Sequence, residues 1–280
     1  MNKIYALVIP RFEDIFHSYF SCEVIKGVSI AASRLKVDLL VHITERHGHK
    51  DWLTSSTLSA KNIDGILFAD INGDLTTLKK VIAKKIPYII MNNFFQEPIN
   101  FVTIDNERAS IDVVDYLINL GHTKIATIAG DLSTQAGKLR LKGYKDALLK
   151  KGIKIKEEYI TVGNFLRSSA RHAAMKLLKL KNRPTAVFAA SDIMALELID
   201  VAKHYNLIIP RDLSIIGFDD NPINVYSPIG LTTVGQPLME MGRIALEKLN
   251  QITSGRAQQP LKILLGTRLI KRDSCEKLKR

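Results

Sequence analysis

Short apolar segments alternate with longer amphipathic segments along most of this chain. The apolar segments predict β-strands at 4–9, 37–43, 64–69, 87–91, 124–129, 185–190 and 213–218. The amphipathic segments predict helices at 21–34, 107–119, 139–151, 168–180 and 193–205. Strands that alternate with helices form parallel sheets with helices on both faces. The pattern therefore predicts an α/β fold, built either as one barrel or as two doubly wound sheets.

Two of the predicted strands end in an acidic turn. The segment PTAVFAASD ends at Asp192, and LSIIGFDD ends at Asp219 and Asp220. Ligands of open α/β sheets bind at the carboxyl ends of the strands. The turns therefore place Asp192 and Asp219 where a binding pocket is expected.

Length and composition indicate a globular protein. With 280 residues, 46% of them hydrophobic, the chain can bury a full core in one large or two modest domains. No apolar segment approaches the roughly 20 residues of a membrane helix. The first apolar segment is interrupted by Pro10 and Arg11, which is not the pattern of a signal peptide. Cys22 and Cys275 lie far apart in sequence without a partner motif. We expect a cytoplasmic protein that does not contact membranes.

The net charge of +12 allows two interpretations. A basic surface attracts polyanions such as DNA, but the same charge arises when lysines are spread over solvated helices. The lysines of this chain are scattered and do not form one basic arm. The charge therefore favours dispersed solvated lysines and defines no binding site.

The common catalytic, metal and dinucleotide motifs are missing. No nucleophile elbow, zinc-protease motif, Cys-x-x-Cys pair or dinucleotide fingerprint occurs. The segment 130–139 resembles a phosphate loop, but its glycines are too far apart and Leu139 stands where the motif needs Ser or Thr. His42, His47 and His49 lack the spacing of a metal pair. We expect no catalytic residue, no metal and no cofactor.

Several segments carry a family resemblance, in family order and at family-like spacing. They are GHTKIATIAG (121–130), RLKGYKDAL (140–148), PTAVFAASDIMAL (184–196), IPRDLSIIGFDD (209–220), LTTVGQP (231–237) and LIKRDS (269–274), together with DGILFA, IPYIIMNN and VTIDNERAS in the first half. With these segments the chain resembles the effector-binding core of the lac repressor family of bacterial transcription regulators. The resemblance implies a type I periplasmic-binding-protein-like fold, in which two doubly wound lobes are joined by three crossovers and hold a small molecule between them.

The resemblance also implies where the lobes begin and end. Crossovers are expected near Leu120, near 232–234 and near 264–267. The N-terminal lobe then comprises 1–120 with 232–264, and the C-terminal lobe comprises 121–231 with 265–280.

The family's ligand contacts can be transferred to matching positions. Arg140 matches an arginine that grips the effector, and its planar fork suits hydroxyls or a carboxylate. Asp219 and Asp105 match acids that follow strands, and Phe165 matches an aromatic that packs on the ligand. The full set of expected ligand contacts is Arg140, Asp219, Asp105, Phe165, Gln236, Ser191, Tyr19 and Phe20. We expect Arg140→Ala to abolish ligand binding and to leave the fold intact.

Each expected contact has a structural alternative. Arg140 and Asp219 could pair with each other across the lobes or cap a helix, and Phe165 could belong to the core. Asp105 and Asp192 are suitable N-caps of the helices that follow them.

Some positions depart from the family pattern. Ser191 replaces a common asparagine, and Ala136 stands where a hydroxyl is common, so hydrogen-bonding reach is lost at both. The segment 12–27 is about one residue longer than the usual form, which weakens the assignment of Tyr19 and Phe20.

The function implied by the resemblance is that of a cytoplasmic, homodimeric sensor of a small molecule, expected to be a carbohydrate, that regulates transcription. Family repressors contact DNA through a helix-turn-helix headpiece. This chain starts directly on the core, so we expect DNA contact only through a headpiece that this chain lacks. A stand-alone sugar- or nucleoside-binding protein is the alternative. A glycosidase that uses Asp105 and Asp219 is a third hypothesis.

Overall fold

The computed structural model describes residues 2–11, 18–45, 56–71 and 75–278. The chain forms two compact units: the first comprises Met1–Ile104 and Pro237–Gly266, and the second comprises Asp105–Gln236 and Thr267–Arg280. His47, His49 and part of the long segment 12–27, on which predictions were made, lie outside the described residues.

The secondary structure follows the predicted alternation. In chain order the strands are β1 Ile4–Arg11, β2 Asp38–Glu45, β3 Gly65–Ala69, β4 Tyr88–Met91, β5 Phe101–Ile104, β6 Ile125–Ala129, β7 Ile160–Val162, β8 Ala186–Ala189, β9 Ser214–Ile216, β10 Thr233–Gly235, β11 Lys262–Leu265 and β12 Arg268–Ile270. The helices are α1 Tyr19–Leu35, α2 Leu75–Ala83, α3 Asn106–Asn119, α4 Gln135–Lys150, α5 Arg167–Leu178, α6 Asp192–His204 and α7 Leu238–Thr253. Short 3-10 helices cover Glu157–Tyr159 and Pro222–Tyr226.

The first unit is built on a six-stranded sheet with strand order β11-β5-β4-β3-β1-β2. All of its strand pairs are parallel. β3 is buried along its whole length, as expected for a strand covered on both faces. The core on one side of the sheet includes Phe68, Ile90 and Phe101.

The second unit contains a four-stranded parallel sheet with strand order β7-β6-β8-β9 and an antiparallel pair, β10 with β12. Bridges from Ile216 to Thr232 and from Asp219 to Gly235 join this pair to the end of β9. β6 and β8 are buried at every position. The strand order reverses between β6 and β8, because β7 follows β6 on one side and β8 lies on the other. Two open parallel sheets confirm the prediction of doubly wound sheets and exclude a single barrel.

The boundaries of the units differ from the predicted lobes. The structure divides the chain before α3, at Ile104 and Asp105, and not near Leu120 at the end of that helix. The close packing of α3 on α4 explains the difference: a Cβ atom at Gly143 of α4 would lie 2.3 Å from the Glu107 carbonyl oxygen of α3. The other changes of unit follow Gln236 and Gly266.

Candidate functional site

The candidate site lies at the carboxyl edge of the second unit's sheet, where β6 and β8 are neighbours. This is the topological switch point of the sheet, because the connections leaving the two strands run to opposite sides. Open α/β sheets bind ligands at such points. Three segments that follow strands meet there, namely 130–140 after β6, 190–192 after β8 and 217–221 after β9.

Arg140 occupies the centre of this edge. It lies in the second turn of α4 and is only 4% exposed. Its Nε donates to Asn106 Oδ1 at 2.8 Å, and its Nη1 donates to the Ala190 carbonyl oxygen at 2.7 Å. Its guanidinium carbon lies 3.6 Å from the centre of the Phe218 ring. These contacts fix the plane of the guanidinium, since the ring and two acceptors constrain it together.

Phe165 follows β7, and its ring lies beside Arg140 and over the end of β6. The guanidinium carbon is 5.8 Å from the centre of the Phe165 ring. The ring covers Gly130 so closely that a Cβ atom there would lie 2.0 Å from Phe165 Cζ. Phe165 is half-buried and packs against the core of the second unit. The ring therefore packs on the core, as in the alternative in which Phe165 is a core residue. It also borders Arg140 at the carboxyl edge of the sheet.

Asp219 is an acid that lies close to Arg140. Its Oδ1 is 3.9 Å from Arg140 Nη1 and accepts a hydrogen bond from Gln236 Nε2 at 2.5 Å. Arg140 and Asp219 belong to the same unit, so the alternative in which they pair across the lobes is wrong. Gln236 is 8% exposed, and its Oε1 is buried without a hydrogen-bond partner among the described residues.

Burial raises the pKa of Asp219 to about 7. The Arg140 charge acts in the opposite direction and lowers this pKa, whereas the nearby Asp192 carboxylate raises it. A carboxyl group that titrates near neutral pH can donate a hydrogen bond when protonated and accept one when ionised.

Asp192 lies behind Asp219 and is fully buried. It is the first residue of α6, whereas the side chain that caps this helix is Ser191, whose Oγ accepts from Met194 N at 3.4 Å. The prediction that Asp192 is the N-cap is therefore wrong by one residue. A first-turn carboxylate still benefits from the helix dipole, and burial raises the pKa of Asp192.

Backbone strain is concentrated at this edge. Asn164 and Phe165 have φ of 54° and 59°, and Asp219 and Asp220 have φ of 135° and 57°. Positive φ is unfavourable for residues other than glycine, and residues held there tend to cluster at functional sites.

Three further expected contacts are Asp105, Tyr19 and Phe20, and Ala136 is a position that departs from the family pattern. Asp105 is exposed and caps α3, because its Oδ1 accepts from Arg108 N at 2.9 Å, which confirms the capping alternative. Tyr19 and Phe20 are half-buried residues in the first turn of α1, in the first unit. Ala136 is buried on α4.

Two contacts of Arg140 were not predicted from the sequence. Asn106, next to Asp105 in sequence, accepts from the guanidinium and is 2% exposed. Phe218 provides the ring on which the guanidinium stacks. Each is the second residue after an apolar strand, which is the one sequence signal that could have identified them.

Neither a metal site nor a membrane-spanning helix was found within the described residues. No group of three or more His, Cys, Asp or Glu side chains there could hold a metal ion. The helices of the same part of the chain are too short or too polar to span a membrane.

Comparisons with known proteins agree with this architecture. The family of periplasmic binding protein-like domains matches residues 114–275. The HTH-type transcriptional regulator DegA of Bacillus subtilis strain 168 is 33% identical over 99% of this chain and 82% of its own length. The HTH-type transcriptional repressor CytR of Escherichia coli strain K12 is 34% identical over 99% of this chain and 80% of its own length.

A solved structure with the same fold is the complex of the transcriptional regulator CelR with cellobiose. It superposes with a TM-score of 0.89 at 29% identity, and the match covers 98% of this chain and 85% of that chain. The relatives are transcriptional regulators, so the glycosidase hypothesis is set aside. The matched domain, the two curated relatives and the shared fold show that the chain belongs to the LacI family of transcriptional regulators, which is not an enzyme family.

Proposed function

We propose that this chain is the ligand-sensing core of a LacI-type regulator and that it binds a sugar or sugar derivative, which then alters DNA binding. The observation that carries the proposal is the polar group of Arg140, Asp219 and Gln236 beside the Phe165 ring. A sugar has an apolar ring face and a rim of hydroxyls, which such a set of side chains can satisfy together.

The chemistry of this group favours a ligand rich in hydroxyls over a strongly anionic one. The Asp219 carboxyl lies 3.9 Å from the Arg140 guanidinium, so an anionic ligand would meet an acid beside the cation. The buried Gln236 Oε1 offers an acceptor for a hydroxyl if the side chain adjusts on binding. The CelR relative was solved with cellobiose, which supports a carbohydrate as the first class to test.

The other expected contacts remain part of the proposal. Asp105 and Ser191 could contribute backbone or side-chain contacts near the same edge, although each already caps a helix. Tyr19 and Phe20 stay proposed as apolar ligand contacts. As in a family regulator, the chain would act as a homodimer in the cytoplasm. Size-exclusion chromatography with light scattering tests the dimer, which should show twice the mass of one chain.

A thermal-shift screen tests the proposed function. The purified chain is screened against cellobiose, other mono- and disaccharides, sugar phosphates, nucleosides and purine bases. A ligand at a hundred times its Kd adds about 2.7 kcal/mol of stability, which is a shift of several degrees. A carbohydrate hit supports the proposal, and the absence of any carbohydrate hit contradicts it.

Two arginine variants locate the ligand. Arg140→Lys loses the planar fork and the stack on Phe218, so the shift should disappear. The matched control is Arg171→Lys, because Arg171 is a partly exposed arginine of the same unit that forms ion pairs with Glu197 and Asp200. A shift of equal size in both variants would remove Arg140 from the site.

A further inference from the structure

Asp192 is the most completely buried charged side chain near the candidate site, and its carboxylate connects three segments. Oδ2 accepts from Asn221 N and from Asn224 Nδ2, both at 2.7 Å. Oδ1 accepts from Thr233 Oγ1 at 2.5 Å. The exposed fraction of Asp192 is 0%. The carboxylate is thus fully hydrogen-bonded, which is what a buried charge requires.

The local sequence makes room for this carboxylate. A Cβ atom at Gly217 would lie 2.1 Å from Asp192 Oδ1, so a larger residue there would displace the acid. The Asp192 amide also donates to the Phe218 carbonyl oxygen at 2.7 Å. Asp192 therefore holds the turn that carries Asp219 through both its backbone and its side chain, together with hydrogen bonds from Gly217 N and Asp219 N to the Thr232 and Val234 carbonyl oxygens.

Two of the three connected segments carry expected ligand contacts. The turn 217–221 carries Asp219, and β10, which contains Thr233, leads directly to Gln236. Gln236 and Asp219 are hydrogen-bonded to each other, so a shift of either segment changes that pair.

The third connected segment is the 3-10 helix Pro222–Tyr226, which presents an apolar surface. Val225 and Tyr226 are 77% and 86% exposed, the highest values among the large hydrophobic residues described as exposed. Asn224, in the same helix, is 9% exposed and is anchored to Asp192. The segment is therefore tied to the carboxylate on one side and open to solvent on the other.

We propose that Asp192 is a positioning residue that couples the ligand contacts Asp219 and Gln236 to the exposed segment 222–226. Asp192 does not touch the ligand. Its carboxylate holds the Asp219 turn, the strand that leads to Gln236 and the 3-10 helix in one arrangement. A change in the charge or position of Asp219 alters the repulsion between the two acids and hence the hydrogen bonds that Asp192 accepts from 221–224. The proposal deepens the proposed function and rests on it for the identity of the ligand contacts.

Hydrogen exchange of the ligand-free chain tests the coupling without any ligand, so a failed ligand screen leaves the test intact. Exchange is followed by mass spectrometry at pH 8 on peptides that cover 217–226 and 231–237. Asp219→Asn removes a nearby charge of the same sign, so Asp192 should bind its donors more strongly. We expect exchange in 221–226 to slow at least threefold in Asp219→Asn.

To isolate the coupling, Asp219→Asn is repeated in variants that lack the hydrogen bonds accepted by Asp192. In an Asp192→Ala background, Asp219→Asn should no longer change exchange in 221–226. Asn224→Leu cuts the side-chain link to the 3-10 helix and leaves the Asn221 amide bonded to Asp192, so it serves if Asp192→Ala does not fold. It should reduce the effect of Asp219→Asn in 222–226. Asp200→Asn is the matched control on α6, because Asp200 is about half exposed and pairs with Arg171, and the effect of Asp219→Asn should persist there.

A purely structural role predicts a different result. Asp192→Ala would then raise exchange around α6, but Asp219→Asn would change 221–226 equally in every background. That outcome, or no response of 221–226 to Asp219→Asn in the otherwise wild-type chain, would overturn the proposal. Thr233→Val removes the hydroxyl donor to Asp192 and, with it, an acceptor 3.5 Å from Asp220 N. It should raise exchange in 231–237 at least threefold, and unchanged exchange there would also contradict the proposal.

Discussion

The guanidinium of Arg140 stacks on the ring of Phe218, with its central carbon 3.6 Å from the ring centre. The guanidinium also donates hydrogen bonds to Asn106 and to the Ala190 carbonyl oxygen. Arg140 therefore has two roles. It presents a cation at the carboxyl edge of the sheet, and it joins α4 to the segments that follow β5 and β8.

This second role revises the expectation that Arg140→Ala leaves the fold intact. The substitution leaves buried acceptors on Asn106 and Ala190 without a donor and removes the stacked group from Phe218. We expect the free energy of unfolding to fall by about 2–4 kcal/mol. Urea denaturation measures this change, and Arg171→Ala, at a solvated ion pair, should cost less than about 1 kcal/mol. Equal costs in the two variants would contradict the structural role.

Gly217 should be intolerant of substitution. A Cβ atom there would lie 2.1 Å from Asp192 Oδ1 and 3.1 Å from a Leu231 methyl group, so Gly217→Ala must displace a buried acid. We expect a loss of about 2–4 kcal/mol in the free energy of unfolding. Gly266→Ala is the control, because nothing lies within 4 Å of its added Cβ, and it should change stability by less than about 1 kcal/mol. A Gly217→Ala protein as stable as the control would show that the Asp192 carboxylate is not confined there.

Asp219 should make the protein less stable as the pH rises. Its pKa is raised to about 7 in the folded protein, whereas an unfolded aspartate titrates near 3.9. The folded state therefore binds the proton more tightly, so the stabilisation is complete below about pH 4 and is lost as the pH rises through about 7. Asp219→Asn removes this dependence. The stability of the variant relative to wild type should rise by up to about 1.4 kcal/mol per pH unit between pH 4 and 7. A difference that stays constant over this range would contradict the raised pKa.

His122 should give stability the opposite pH dependence, with a loss as the pH falls. Burial lowers the pKa of His122, whose Nδ1 lies 3.0 Å from Thr185 Oγ1 and whose Nε2 lies 3.1 Å from Ser214 Oγ. The unfolded chain therefore takes up a proton that the folded chain excludes, and the protein loses stability as the pH falls below about 6.5. Denaturation of His122→Gln at pH 8 and at pH 5 should show a smaller loss toward acid pH than wild type does. An identical loss would mean that His122 is protonated in the folded protein.

The sequence predicted the sheets better than it predicted the contacts of the site. β6 and β8 are apolar and buried along their length, so periodicity alone identified them. The three-residue strand β10 was recognised only as part of a crossover, because it pairs with β12 from a distant part of the chain. Local patterns do not encode such long-range pairing.

At the site, residue type indicated the location, but only the structure shows which groups meet. Asp192 and Ser191 are adjacent and both suit a helix start, so the sequence could not tell which one caps α6. Asn106 was overlooked in favour of Asp105, because the family resemblance pointed to the acid that follows the strand. In the structure the acid faces the helix backbone and the amide faces the guanidinium.

The measurement that tests the central claim most directly is a calorimetric titration of wild type, Phe165→Ala and Leu149→Ala with the carbohydrate that gives the largest thermal shift. Phe165 borders the Arg140 group, whereas Leu149 is a 62% exposed apolar residue of the same unit. Loss of one stacked ring should weaken binding at least tenfold in Phe165→Ala, and Leu149→Ala should stay within about twofold of wild type. Unchanged affinity in Phe165→Ala would contradict the claim that the ligand is held at this edge of the sheet.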